Sequence, residues 1–189
     1  MSNFAYQEDI CYEMLDGELF AMSPSASTNH QTVVKNILGI FDKYLKGKPC
    51  MVFGDLDVIL TENDHPIPDV VVVCNHDIIK PDAIYGPPDL IVEVLSPSTA
   101  SKDKNYKKTL YGKCGVREYW IVDTSNRIID VHHLQDGKLE LVQVYAIIPD
   151  RFIERMSDEE KKARLIYDFK TSLFDDLVIN IEDVFAEMI

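Results

Sequence analysis

Two short apolar runs near the middle of the chain each come with an acidic residue. Asp69 precedes the run Val70–Cys74, and Glu93 lies inside the run Leu90–Leu95. Both runs are too short for good helices and are rich in Val and Ile, so the pattern predicts two buried strands. An unpaired carboxylate inside the second strand would cost on the order of several kcal/mol. We therefore expect a cation, a metal or a bound proton to neutralise Glu93.

A helix is predicted between Ser98, which offers an N-cap, and Gly115, which offers a stop. At about 100° per residue, one face of this helix carries Asp103, Lys107, Leu110, Tyr111 and Cys114. Lys107 thus lies on the apolar face, where it suits a buried acidic site. Lys104 and Lys108 lie on the flanks of that face.

Asp69, Glu93 and Lys107 would together form a set of two acids and one lysine. Two carboxylates suit a hard divalent cation such as Mg²⁺. A nearby lysine can position or deprotonate water, or stabilise developing negative charge. The spacing is equally compatible with a structural ion pair between Glu93 and Lys107, with Asp69 at the surface. Spacing alone does not decide between these interpretations.

Several further motifs occur in a fixed order along residues 10–145. They are Glu13-x-x-Asp16-Gly17-Glu18, Met22-Ser23-Pro24, His30, Pro68-Asp69, Glu93-Val94-Leu95-Ser96-Pro97-Ser98, Asp103-x-x-x-Lys107-x-x-x-Tyr111 and Gly115-Val116-x-Glu118-Tyr119-Trp120. In this order they resemble the Uma-type family of restriction endonucleases, within the PD-(D/E)XK nuclease superfamily. The usual lysine position of that superfamily, two residues after the second acid, holds Leu95 here. The resemblance implies that Lys107 takes its place.

The resemblance also implies a fold and a reaction. The fold is α/β, with a restriction-endonuclease-like mixed central β-sheet flanked by helices. The reaction is hydrolysis of phosphodiester bonds, with DNA as the expected substrate and Mg²⁺ or Mn²⁺ as cofactor. The implied metal ligands are the carboxylates of Asp69 and Glu93 and the carbonyl of Val94. Lys107 would orient the attacking water or offset charge in the transition state, with Tyr111 supporting Lys107.

Two more residues, His30 and Asp103, are predicted to support the site. His30 lies on the apolar face in the first turn of a predicted helix. Such a histidine is usually a packed core residue, and the functional alternative is a contact to phosphate or to a residue beside the metal. Asp103 shares the helix face of Lys107.

The net charge of −13 argues against a general nucleic-acid binder, which usually carries a basic face. Residues 101–117 depart from this balance, with five lysines and one arginine against a single acid. Lys104 and Lys108 are therefore candidate contacts to nucleic-acid phosphates, although a solvated helix face explains them equally well. The acidic remainder keeps two alternatives open: a catalytically inactive nuclease-fold binding module, and a metal-dependent hydrolase of small phosphate esters.

No repeat or linker interrupts the pattern, so residues 1–189 are predicted to form one nuclease-like domain. A charged segment at 147–172 departs from the family pattern and is predicted to be an insertion. Further elements are predicted as follows: a hairpin at 12–22 that turns at Asp16-Gly17, a helix from His30 to Leu45, strands at 50–60, 118–123, 128–135, 138–146 and 173–181, and helices at 157–167 and 182–188.

Four cysteines are present, and none forms a CxxC pair: Cys11, Cys50, Cys74 and Cys114. They lie among apolar residues and are predicted to be reduced core thiols rather than disulfides or zinc ligands. No window has the length and hydropathy of a transmembrane span, and residues 1–10 do not resemble a signal peptide. The expected location is cytoplasmic, without membrane contact, and a homodimer is left open.

Overall fold

The computed structural model describes residues 12–22 and 26–189. Cys11 and the Ser23-Pro24 pair of the family motif lie outside the described residues. The strands are β1 (Tyr12–Leu15), β2 (Glu18–Ala21), β3 (Met51–Phe53), β4 (Val58–Ile59), β5 (Val70–Val73), β6 (Ile84–Tyr85), β7 (Leu90–Val94), β8 (Glu118–Asp123), β9 (Ile128–Gln135), β10 (Lys138–Ala146), β11 (Asp168–Lys170) and β12 (Val178–Asn180). The helices are α1 (Thr28–Leu45), α2 (Ala100–Lys102), α3 (Lys108–Cys114), α4 (Asp150–Ile153), α5 (Asp158–Arg164) and α6 (Ile181–Val184), with a π-helical turn at Asp103–Lys107 between α2 and α3.

Six of these strands form a mixed sheet in the order β10-β9-β8-β7-β5-β3. β7 and β8 run parallel, whereas the other neighbouring pairs run antiparallel. A parallel pair needs a crossover connection, and α2, the π-helical turn and α3 supply it. α1 packs against one face of the sheet and α3 against the other. The predicted mixed α/β fold with flanking helices is therefore confirmed.

The two central strands predicted from the apolar runs are present, and every residue of β5 and β7 is buried. Successive side chains of β7 alternate between the two layers. Leu90 and Val92 pack in the layer that contains α1, whereas Ile91 packs in the layer that contains α3. Because Glu93 follows Ile91 by two positions, it faces the α3 layer as well. The strand thus directs Glu93 toward the helix that carries Lys107.

α1 follows the predicted apolar periodicity. Ser27 caps it, since its hydroxyl accepts a hydrogen bond of 3.1 Å from the His30 N–H. Val33, Ile37 and Phe41 lie on the buried stripe. His30 is the first buried residue of the same stripe, so it enters the core from the first turn of the helix.

The helix predicted between Ser98 and Gly115 is present, but its middle is π-helical at Asp103–Lys107. A π-helical turn is rare and is often found at functional sites. Gly115 ends the helix with φ of 94°, a left-handed conformation that glycine adopts without strain. The predicted inward face is also observed, because Leu110 and Tyr111 are buried.

Several predicted elements differ from the structure in extent. The run at 50–60 is split into β3 and β4, because Asp55 between them has a positive φ of 49° that breaks the extended chain. The C-terminal strand is limited to β12 and the last helix to α6. The segment at 147–172 contains α4, α5 and β11, and β11 pairs with β12. Its predicted helix start is confirmed, since Ser157 and Glu160 form a capping box.

The prediction of reduced thiols is wrong for Cys50 and Cys74, which form a disulfide. Met51 lies opposite Val73 in the antiparallel register, so the two cysteines that flank this pair lie opposite each other, with Cα atoms 4.0 Å apart. Such a pairing depends on strand register, which the spacing of cysteines along the sequence does not give. Cys114 is a free thiol. No described helix has the length and hydropathy needed to cross a membrane.

Candidate active site

The ammonium of Lys107 is the centre of the candidate site. Its Nζ lies 2.8 Å from Glu13 Oε2 and 3.1 Å from Glu93 Oε1. Asp103 Oδ1 lies 3.5 Å from the same nitrogen, four residues earlier on the helix. None of these four side chains exposes more than 5% of its surface. One buried lysine is therefore shared by three buried carboxylates.

Three separate elements deliver these groups. β7 brings Glu93, and the π-helical turn brings Asp103 and Lys107 as its buried residues. β1 brings Glu13: Leu15 packs in the α3 layer, and Glu13, two residues earlier, enters on the same side. The residues converge because the first hairpin, the central sheet and the crossover helix meet at one end of β7.

Tyr111 also contacts the site, but not in the predicted way. It was expected to support Lys107, whereas its hydroxyl donates a hydrogen bond of 2.7 Å to Glu93 Oε1. The same oxygen accepts the Lys107 hydrogen bond. Lys107 and Tyr111 therefore hold one carboxylate oxygen from two successive turns of the helix.

The protonation states follow from burial and from the crowding of acids. Burial raises the pKa of Glu93 most, Lys107 opposes this, and the charges of Asp103 and Asp69 raise it further, to about 8. Burial alone would lower the pKa of Lys107, but Glu93 and Glu13 raise it well above its ordinary value. Lys107 therefore stays protonated at neutral pH and acts as a hydrogen-bond donor, not as a base.

Asp69 and His30 form the second part of the site. His30 Nε2 lies 3.3 Å from Asp69 Oδ1, and only 15% of the Asp69 side chain is exposed. The Val94 N–H donates a hydrogen bond of 2.6 Å to Asp69 Oδ2. Burial lowers the pKa of His30, but the hydrogen bond and charge of Asp69 more than offset this, so the pKa lies above its ordinary value. Asp69 is thus a partly buried, oriented carboxylate and not a surface acid.

The two parts of the site are adjacent. The Val94 N–H that binds Asp69 belongs to the residue after Glu93, and the charge of Asp69 raises the pKa of Glu93. The structure therefore brings Glu93, Lys107, Asp103 and Tyr111 into direct contact and places Asp69 with His30 beside them.

The chemistry of these residues fits a divalent cation. The raised pKa of Glu93 means that its ionised form is not fully compensated by Lys107. Across residues 12–22 and 26–189, no three His, Cys, Asp or Glu side chains converge into a ready-made metal cage. Mg²⁺ does not require one, because it is usually bound through one or two carboxylates, with water and substrate phosphate completing the shell. Asp69 and Glu93 are the two carboxylates here that could hold such an ion.

Lys104 and Lys108 flank this site along the helix. Lys104 is exposed and Lys108 is partly exposed, whereas Lys107 between them is buried. Both residues are therefore at least partly accessible from solvent on the same helix.

Sequence reasoning missed two acids. Glu13 belonged to a family motif, but nothing in the local pattern placed the first hairpin against Lys107. The second acid is Asp55, which lies near Asp69 and His30. Burial and the charge of Asp69 raise the pKa of the Asp55 carboxyl, and the charge of His30 lowers it. Its position follows from the break after β3, which the apolar run at 50–60 did not reveal.

A mixed sheet with buried carboxylates at a strand end, next to a lysine on the crossover helix, is the arrangement that the resemblance to a nuclease implies. The chain belongs to the Uma2 family, described as putative restriction endonuclease, whose model matches residues 4–156. The resemblance inferred from the sequence motifs is therefore confirmed.

Two individual proteins are similar to this chain. An uncharacterized protein of Synechocystis sp., slr1290, is 32% identical over 129 residues, which are 66% of this chain and 67% of that protein. The crystal structure of a putative nuclease belonging to DUF820 from Anabaena variabilis matches with a TM-score of 0.67 and 16% identity, over 92% of this chain and 89% of that one. At that identity the second comparison supports the fold alone.

Proposed function

We propose that this protein is an endonuclease that hydrolyses phosphodiester bonds in DNA and depends on Mg²⁺ or Mn²⁺. The observation that carries the proposal is the convergence of three buried carboxylates on Lys107. Burial, and after it the charges of Asp103 and Asp69, leaves the Glu93 carboxylate incompletely compensated by Lys107. A divalent cation would supply the missing positive charge. Membership of the Uma2 family supports the same class of reaction.

Asp69 and Glu93 would hold the cation, with the Val94 carbonyl as a further ligand. A bound Mg²⁺ would polarise the phosphate and lower the pKa of a water molecule. Lys107, which keeps its proton, would orient the attacking water or offset negative charge in the transition state. The reaction forms one bond between the water oxygen and phosphorus and breaks the bond between phosphorus and the leaving nucleotide oxygen. The water loses a proton to solvent, and the leaving oxygen takes one up from solvent.

The remaining residues would keep the two carboxylates in position. His30 and the Val94 N–H hold the two oxygens of Asp69. Tyr111 donates to Glu93, and Asp103 lies 3.5 Å from Lys107. Lys104 and Lys108 would contact backbone phosphates of the nucleic acid.

The test is cleavage of supercoiled plasmid DNA, an RNA of similar length and bis(p-nitrophenyl) phosphate, each with Mg²⁺, with Mn²⁺ and with EDTA. We expect nicking of the plasmid that requires the metal and is absent in Glu93→Gln. Glu18→Gln is the matched control, because Glu18 is an exposed acid of the first hairpin. DNA binding without cleavage would favour a binding module, and cleavage of the small ester alone would favour a phosphate-ester hydrolase.

A further inference from the structure

Glu13 makes the shortest contact to Lys107, although it comes from a distant part of the sequence. Its Oε2 lies 2.8 Å from Lys107 Nζ, compared with 3.1 Å for Glu93 Oε1. Its other oxygen, Oε1, lies 3.2 Å from Nζ of the partly exposed Lys102. Only 3% of the Glu13 side chain is exposed. A buried carboxylate thus spans two lysines that lie five residues apart on the crossover helix.

The backbone of Glu13 is held independently of these lysines. The neighbouring Met14 forms two backbone hydrogen bonds with His65, of 3.2 and 2.8 Å. The Asp16 N–H donates a hydrogen bond of 3.0 Å to Asp64 Oδ1, and the Tyr106 hydroxyl donates one of 2.6 Å to the same oxygen. The first hairpin and the π-helical turn are therefore tied to one loop, which fixes the distance between Glu13 and Lys107.

A second cation at Glu93 would compete with Lys107. Lys107 and Tyr111 both bind Oε1 of Glu93. A divalent ion held by the same carboxylate repels the ammonium and weakens its contact with Glu93. The carboxylates of Glu13 and Asp103, at 2.8 and 3.5 Å from Nζ, remain as charge partners of Lys107.

We propose that Glu13 is a positioning residue that keeps Lys107 in the site when Glu93 engages a divalent cation. The inference rests on the proposed metal-dependent hydrolysis. Without Glu13, Lys107 would pair more closely with Glu93 and oppose metal binding. Glu13 itself touches neither the metal nor the substrate, and it acts only through Lys107.

Two measurements test this role. Mn²⁺ binding is monitored in the absence of nucleic acid through the EPR signal of free Mn²⁺, and plasmid cleavage is measured separately. Glu13→Gln keeps the shape of the side chain and removes its charge. We expect Mn²⁺ binding to weaken about tenfold or more, as for loss of the coupling between two close buried charges, and kcat to fall while KM for DNA stays constant. Glu13→Asp, which restores the charge, should recover part of the loss. Glu18→Gln, with the same charge change in the same hairpin, should behave like the wild type.

A comparison of Lys107→Gln with the double variant Lys107→Gln/Glu13→Gln separates action through Lys107 from a direct effect of the Glu13 charge. The two should bind Mn²⁺ equally, and weaker binding by the double variant would overturn the proposed role. Equal Mn²⁺ binding by Glu13→Gln and the wild type would also overturn it while leaving the proposed function intact. A wild-type protein that binds no Mn²⁺ would overturn both. If Glu13→Gln does not fold, Glu13→Asp is compared with the wild type instead. Equal Mn²⁺ binding and equal kcat in these two proteins would contradict the proposed role of Glu13.

Discussion

Lys107 and Glu93 form a buried ion pair, with 3.1 Å between Nζ and Oε1 and no more than 5% of either side chain exposed. Such a pair is expected both in a catalytic site and in a structural core. Two further observations favour the catalytic interpretation. Lys107 has a second carboxylate partner in Glu13, and the neighbouring Asp69 is oriented by the N–H of Val94. A purely structural pair would need neither.

Replacing Glu93 with glutamine should abolish metal-dependent cleavage while the protein remains folded. The amide cannot serve as an anionic metal ligand, so we expect kcat to fall at least about 100-fold. Lys107 would keep Glu13 and Asp103 as partners, which limits the loss of stability. Cleavage rates and thermal unfolding measure the two effects. Full activity would remove Glu93 from the mechanism, and unfolding would support a structural ion pair.

The pH dependence of stability should change in the same variant. The pKa of Glu93 is raised in the folded protein. Between the ordinary glutamate pKa and this raised value, the folded protein keeps a proton on Glu93, whereas the unfolded chain has released it. The contribution of Glu93 to stability is therefore present below the ordinary pKa and is lost as the pH rises toward about 8. Urea unfolding at pH 5 and pH 8 should show that the wild type loses more stability than Glu93→Gln over this interval. Equal losses would contradict the shift.

The sequence predicted the central strands because four consecutive valines, and LIVEV apart from Glu93, are apolar on both faces of a strand, which favours burial on both sides. It also placed Lys107 on the inward face of its helix, because that inference needs only local periodicity. Glu13 and the disulfide of Cys50 with Cys74 escaped prediction for a common reason. Each depends on the packing or register of segments distant in sequence, which no local pattern encodes. The π-helical turn was missed because helical periodicity does not distinguish it from an α-helix.

Replacing Lys107 with methionine should destabilise the protein. Three buried carboxylates would lose their shared cation, and breaking a buried ion pair from one side typically costs about 3–5 kcal/mol. The loss should be smaller at pH 5 than at pH 8, because protonation relieves the uncompensated acids. Urea unfolding at the two pH values measures this.

Mg²⁺ should partly restore the stability of Lys107→Met, since a ligand that binds only the folded state stabilises it. Lys104→Met is the matched control, because Lys104 is exposed on the same helix and its replacement should change stability by less than about 0.5 kcal/mol. If Mg²⁺ raised the melting temperature of both variants equally, the extra stabilisation could not be assigned to the Lys107 site.

Replacing His30 with glutamine should reveal its pairing with Asp69 through pH. The pKa of His30 is raised in the folded protein, so the contribution of the pair is fully present below the ordinary histidine pKa and is lost as the pH rises through the folded value. We expect the variant to be about 1 kcal/mol less stable than the wild type at pH 6, and the difference to shrink at pH 9. A double-mutant cycle with Asp69→Asn isolates the coupling, and a coupling that does not vary with pH would contradict the assignment.

Replacing Lys104 and Lys108 together with glutamine tests whether the basic flanks of the helix meet nucleic acid. Both are accessible from solvent, and the Lys107 ammonium between them is held by the acids of the site. If both lysines bind phosphates, DNA affinity should fall by a similar factor for unrelated sequences. The slope of log affinity against log salt should become shallower by about 0.9 for each lost contact on duplex DNA. The measurement is a salt titration of DNA binding in Ca²⁺, chosen to limit cleavage.

The matched control for this pair is Lys161→Gln with Lys162→Gln, which removes the same charge from α5. This second variant lowers the net charge equally, so any general electrostatic effect on an acidic protein appears in both. Only the change at Lys104 and Lys108 should alter the salt slope. Neither residue is a proposed metal ligand, so Mn²⁺ affinity should remain that of the wild type in both variants. An unchanged slope would mean that the two lysines form only a solvated helix face, and the binding-module and small-ester functions would both gain support.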